Sequence, residues 1–242
     1  MHMNIKPTLV ALLWIGVAAT ATAAAQQNSE ELQKRVLAEA QSRSADDYAF
    51  TRTIRSETNS KGKTEKKVTV EKFDPTKPAD ARWTLVSING VAPSADEANK
   101  YQKEAAKRRI VPGYHRVGAY FGAPAAASTA SDGKTVFRFA TLPKGTMSVL
   151  DTDVSQNASA EATVAEADGT PFVEQVRFTV RPMRIKLLMK VDRFESTARY
   201  RIGPGGKPFL MESSSTMSGS GMGQEGTMQN TTTYSDYRAV RG

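Results

Sequence analysis

The sequence predicts an α+β protein that is mostly β, a curved antiparallel sheet with an N-terminal helix and a second helix packed on or beside it. Three observations carry this. Apolar residues after Ser29 recur at helical spacing. From Tyr48 onward they recur mainly at every second position. Turn-forming clusters, Asn59-Ser60-Lys61-Gly62, Asn89-Gly90 and Gly203-Pro204-Gly205-Gly206, separate the alternating runs.

The first 25 residues have the layout of a cleavable export signal. Lys6 is their one charged side chain, Leu9 to Ala19 is apolar, and Ala21-Thr22-Ala23-Ala24-Ala25 supplies small residues for a peptidase. Cleavage is expected after Ala25, with Ala23 as the alternative, so that the mature chain begins at Gln26. The apolar run is shorter than the roughly 20 residues a bilayer crossing takes. Gln26 to Gly242 suits one β-rich domain with a polar helical insertion near 91–132. A soluble periplasmic protein is the expectation.

The elements follow in order. Ser29 is placed to cap a helix, Glu30 and Glu31 suit its positive end, and Leu32, Val36, Leu37 and Ala40 share one face to about Ser42. Tyr48, Phe50 and Ile54 begin a hairpin whose second strand holds Val68 and Val70. Arg82 to Ile88 is a short strand. Ser94 and Glu97 have capping-box spacing for a polar helix ending at Lys107-Arg108-Arg109 and lying outside the core. Ala123 to Asp132 reads as a loop.

Val136 to Ala140, Ala160 to Ala165 and Phe172 to Val180 are strands. Met183, Ile185, Leu187, Met189 and Val191 alternate with polar residues. Phe194, Ser196, Ala198, Tyr200 and Ile202 continue out of phase, so one long strand must bulge or bend at Asp192-Arg193. Lys207 to Ser215 returns, Met217 to Gly226 is a glycine-rich connection, and Thr227 to Tyr237 is the last strand. The result is a meander of about eight to ten strands.

Chemistry is sparse. There is no cysteine, which removes disulfides, thiol catalysis and a lipidated cysteine. His115 is the one histidine after Gln26, too few for a usual triad or multi-histidine metal site. Asp151 and Asp153 face one side of an extended segment but lack calcium-loop spacing. Gly219 to Gly226 lacks the Gly-Lys-Ser/Thr ending of a phosphate loop. No cofactor, metal or enzymatic activity is expected.

The net charge of +8 suits an anionic membrane surface or simply a solvated basic face, and nucleic acid is not expected of an exported protein. Nothing in the residues sets the oligomeric state. Six methionines, Met183, Met189, Met211, Met217, Met222 and Met228, fall in the last third. Methionine adapts to irregular apolar shapes, either as core filler or as a deformable ligand lining. The expected lining is Met183, Ile185, Leu187, Met189, Phe194 and Trp83.

The layout of helix, hairpin and long meander resembles the LolA/LolB superfamily of periplasmic lipoprotein carriers. The segments that carry the resemblance are Phe73-Asp74-Pro75 with Arg82-Trp83-Thr84-Leu85, and Arg193-Phe194-Glu195 through Met217-Ser218-Gly219-Ser220. It implies an incomplete β-barrel closed by helices, with an apolar interior for lipid or lipoprotein acyl chains. The polar stretch from Asp74 to Asp132 departs from it, and the missing cysteine speaks against LolB-type receptors. The resulting expectation is a soluble carrier for an apolar ligand. The alternative is an envelope interaction protein with a basic outer face and no small ligand.

Overall fold

The computed structural model describes residues 12–105, 111–185, 189–221 and 224–240. These form three α-helices, α1 (Leu12–Gln41), α2 (Ala95–Ala105) and α3 (Gly118–Phe121). The early strands are β1 (Tyr48–Ser60), β2 (Lys63–Phe73), β3 (Trp83–Ile88), β4 (Ala126–Thr129), β5 (Thr135–Phe139), β6 (Ser148–Val149) and β7 (Thr152–Asp153). The later strands are β8 (Ala158–Ala167), β9 (Thr170–Val180), β10 (Met183–Ile185), β11 (Met189–Ile202), β12 (Pro208–Gly221) and β13 (Gln224–Ala239).

Eleven strands make one antiparallel sheet in the order β3-β2-β1-β13-β12-β11-β9-β8-β5-β4, with β10 paired to β11. β3 and β4 end the path unpaired with each other, so the sheet is not closed into a barrel. β6 and β7 form a separate pair. The predicted fold class holds, but the sheet is not a simple meander. The N-terminal strand β1 pairs with the last strand β13, from Tyr48 opposite Ala239 to Ser60 opposite Gly226.

One face of α1 packs on the sheet. Val36 and Ala40 are fully buried and Leu32 and Leu37 pack beside them, the stripe read from their spacing. Gln33 Nε2 donates to the carbonyls of Phe121 and Ala123 at 2.7 and 2.8 Å, fastening α1 to the end of α3. Beneath lie Phe121, Phe137, Phe139 and Tyr120, whose ring sits edge-on 5.5 Å from Phe139 and 5.4 Å from Phe178. Across the sheet, Phe50, Phe73 and Trp83 make a second aromatic group, with Phe73 and Trp83 centroids 4.8 Å apart. Each such buried ring stabilises by about 1.5–3 kcal/mol.

Local signals translate directly into geometry where they are complete. Ser94 N–H donates to Glu97 Oε2 at 2.8 Å and Glu97 N–H donates to Ser94 Oγ at 3.3 Å, the reciprocal capping box at the start of α2. Asn89 and Gly90 take positive φ, as the turn requires. No helix of the described residues is long and apolar enough to cross a membrane.

Four expectations are corrected. Ser29 does not cap α1, which already runs through it; its hydroxyl instead donates back to the Gln26 carbonyl at 2.8 Å. Part of the expected loop from Ala123 to Asp132 is β4, whose exposed alanine-rich strand is held by its ladder to β5 rather than by burial. The chain from Met183 to Ile202 is not one strand but a β10–β11 hairpin, with Met183 opposite Val191 and Ile185 opposite Met189. The glycine-rich stretch after Met217 is not a connection but the end of β12, since β12 and β13 stay paired as far as Gly221 and Gln224. Lys107, Arg108 and Arg109, where the second helix was expected to end, lie outside the described residues.

Candidate functional site: a methionine-lined cavity at one end of the sheet

Residues paired across antiparallel strands point to the same face, so the register carries the core-facing side from strand to strand. Phe137, Ala162 and Val176 are buried on that face, and their row continues through Ala198, Ser213, Thr232 and Ile54. Two residues along, the row is Phe139, Ala160, Phe178, Ser196, Ser215, Asn230 and Ser56. The next is Ala158, Val180, Phe194, Met217, Met228 and Thr58. Met217 and Met228 are therefore direct neighbours on the inner face.

Beyond that row β11 changes phase. Val191 pairs with Gly219 and Arg193 with Ser218, which leaves Asp192 as an extra residue. This is the bulge anticipated at Asp192-Arg193. It lets Val191 and Phe194 share the inner face although three positions separate them. Only glycine fits opposite: a Cβ on Gly219 would lie 2.1 Å from the Lys190 carbonyl oxygen.

Gly219 and Gly226 face each other and Gly221 faces Met189, so three inner positions of β12 and β13 carry no side chain there. A cavity of about 250 Å³ occupies the space. Its apolar walls are Met189, Val191, Met217, Met228 and Leu150, the last from the turn between β6 and β7. Leu150 is 38% exposed and Met189 37% exposed, so the mouth is apolar and open to solvent. Polar flanks come from Thr58, Ser60, Gln224 and Glu225. The cavity exceeds the roughly 150 Å³ of a dry cavity that holds benzene, and falls just short of the roughly 300–1,000 Å³ of pockets for drug-sized ligands. That size suits a single short alkyl segment.

The six residues expected to line a ligand site are separated by the fold. Met189 lines the cavity. Met183 and Phe194 are half-buried against the core, Phe194 being the row neighbour of Met217. Ile185 is fully buried and Trp83 lies in the aromatic group. Leu187 lies outside the described residues. Met217 and Met228 belonged to the methionine group weighed as a lining but not to the six residues expected, and Val191 and Leu150 were not singled out as lining. The strand pattern at Met228 was a usable signal, whereas Leu150, in a turn before Asp151, carried none.

Other candidate chemistry has structural partners. Asp153 accepts from the Ser155 hydroxyl, from Ser155 N–H at 3.0 Å and from Gly145 N–H at 2.9 Å, and these bonds, the hydroxyl's first, hold its carboxyl below the usual carboxylate range. Among the described residues, no three His, Asp or Glu side chains converge as a group that could hold a metal ion. His115 lies on a short 3₁₀ turn, Tyr114–Val117, and burial lowers its pKa, with the charge of Arg116 acting the same way. Several basic side chains of the outer face lie beside acids: Lys190 Nζ is 2.6 Å from Asp192, and Arg199 is 3.7 Å from Glu212. Arg184 is exposed, and Lys186 lies outside the described residues.

No protein-family model and no curated protein matches the chain. Solved structures similar to it include the following two. One is a LolA superfamily protein from Nitrosomonas europaea, with a TM-score of 0.32 at 13% identity, covering 88% of this chain and 94% of the other. It carries the name of the superfamily whose layout the sequence resembles. The other is a DUF1329 family protein from Desulfovibrio piger, with a TM-score of 0.35 at 11% identity, covering 89% and 93%.

Proposed function

We propose that this chain is an exported, soluble carrier or binding protein for an apolar ligand, and that it holds one alkyl or acyl segment in the methionine-lined cavity. The observation that carries the reading is the open apolar mouth formed by Leu150 and Met189 above Met217 and Met228. Thioether side chains repack around chains of different shape at little cost. Withdrawing apolar surface from water contributes about 25 cal/mol per Å², so a short alkyl segment gains several kcal/mol by leaving solvent. Export rests on the first 25 residues; N-terminal sequencing of protein recovered from the periplasm should begin at Gln26.

The test is saturable binding of a fluorescent naphthylamine probe. Met189→Asp and Met217→Asp place a carboxylate in the cavity and should abolish probe uptake while leaving the far-UV spectrum unchanged. Wild-type protein that takes up no probe, or variants that bind as well as wild type, would refute the proposal.

A further inference from the structure

The turn that brings Leu150 to the cavity mouth is built against the ordinary preference of its residues. Val149 pairs with Thr152, so Leu150 and Asp151 are the central residues of the β6–β7 hairpin, and both take positive φ, 49° and 63°. Lys61-Gly62, Asn89-Gly90 and Asp168-Gly169 turn with the same pair of signs, and each places glycine second. That is the sequence such a turn selects. Leu150-Asp151 has no glycine. Aspartate visits this region readily, but a leucine there crowds its Cβ against the carbonyl oxygen that follows.

The segments flanking the turn are clamped. Val149 and Val154 are buried, Val154 N–H donates to the Met147 carbonyl at 3.0 Å, and Met147 N–H donates to Ser155 Oγ at 3.0 Å. Asp153 ties the same stretch to Gly145 and Ser155. Arg116, on the Tyr114–Val117 turn, donates to the Thr146 carbonyl at 3.2 Å. A leucine fixed in this conformation for the sake of the core would be sealed in it. Leu150 instead stays 38% exposed while it lines the cavity with Met189, Met217 and Met228. Backbone strain maintained at a side chain that faces a cavity is the pattern of a functional position.

We propose that Leu150 is the retaining residue of the carrier site: the clamped β6–β7 strap holds its side chain over the mouth, where it caps a bound alkyl chain and slows its escape. The inference rests on the proposed carrier function and adds the group that sets how long the ligand stays. Met189, also at the mouth, has a flexible side chain that adapts to the ligand. Leu150 is fixed by its backbone and supplies the constant wall. A chain beneath it removes from water the apolar surface that Leu150 otherwise exposes.

Stopped-flow displacement of the naphthylamine probe, with urea denaturation of the same proteins, tests this. Leu150→Gly removes the wall and gives the turn a residue that accepts its φ. It should release the probe about tenfold faster while its urea midpoint stays level or rises. Asp151→Gly gives the turn the Xaa-Gly form and keeps the wall, so its midpoint should rise and its release rate should match wild type. A Leu150→Gly midpoint below wild type would make Leu150 a packing residue and overturn the inference, as would release at the wild-type rate. Both results leave the cavity standing. Wild-type protein that takes up no probe overturns the carrier reading itself, and this inference with it.

Discussion

Arg52 Nε donates to Glu71 Oε2 at 2.6 Å across the β1–β2 pair, inside the sheet. Their side chains are only 13% and 3% exposed, and the guanidinium carbon of Arg52 lies 4.0 Å from the centre of the Trp83 ring. Tyr234 completes the group, bonded to Arg52 and Ser213, and its burial raises its pKa. Glu71→Gln leaves the arginine charge buried without its counter-ion and should destabilise the fold by about 3–5 kcal/mol. The double replacement Arg52→Met with Glu71→Leu should recover most of that loss. Urea denaturation of the three proteins measures both effects.

Gly219 is the backbone condition for the cavity. Gly219→Ala forces a methyl group against the Lys190 carbonyl and should cost about 1–3 kcal/mol by displacing β11 at its bulge. The same displacement closes the cavity floor, so naphthylamine uptake should fall together with the denaturation midpoint. Unchanged stability would mean that β11 yields freely at Asp192.

His115 gives stability a pH dependence of predictable sign. Its pKa is lowered, first by burial and then by Arg116, against weaker opposing effects of Asp47 and Asp46. The unfolded chain therefore takes up a proton at higher pH than the folded one. The histidine's contribution is fully present above the ordinary value near 6.5 and is lost as the pH falls from there through the lower folded value. His115→Gln should flatten the stability profile over that window, as followed by urea midpoints at pH 7.5 and below. A variant that keeps the wild-type slope would place the dependence elsewhere.

Methionine oxidation reads the cavity mouth directly. Peroxide transfers one oxygen to a thioether and leaves as water, turning an apolar side chain into a polar sulfoxide. Met189, exposed at the mouth, should oxidise before half-buried Met183 and Met147. Probe uptake should decline in step with Met189 sulfoxide, followed by peptide mass spectrometry. Full uptake by Met189-oxidised protein would move the ligand away from this mouth.

Much of the fold was legible because its signals are local. The Val36 and Ala40 stripe, the Ser94–Glu97 capping box, the Lys61-Gly62 turn and the extra residue at Asp192 depend on neighbours a few positions apart. The cavity was legible only in part. Alternation identifies the side of the sheet a residue faces, and it put Met183, Ile185 and Met189 together. It does not distinguish a strand that continues from one that turns back, so the reversal between Ile185 and Met189 left no trace in the period. Gly219, Gly221 and Gly226 resembled a flexible link because glycine has low strand propensity; across-strand pairing overrides that preference.

The sequence by itself determined the α+β class, the helix face that packs, the inward residues of β1, β11 and β13 and the scarcity of catalytic groups. Those properties follow from side-chain chemistry at short spacing. Only the tertiary structure decided that β1 closes against β13, that Met217 meets Met228, and that Leu150 reaches them from a distant turn. Pairing between strands far apart in the chain is chosen by the energy of the whole sheet, through register, bulges and burial summed over many residues, and no short window of sequence contains that sum.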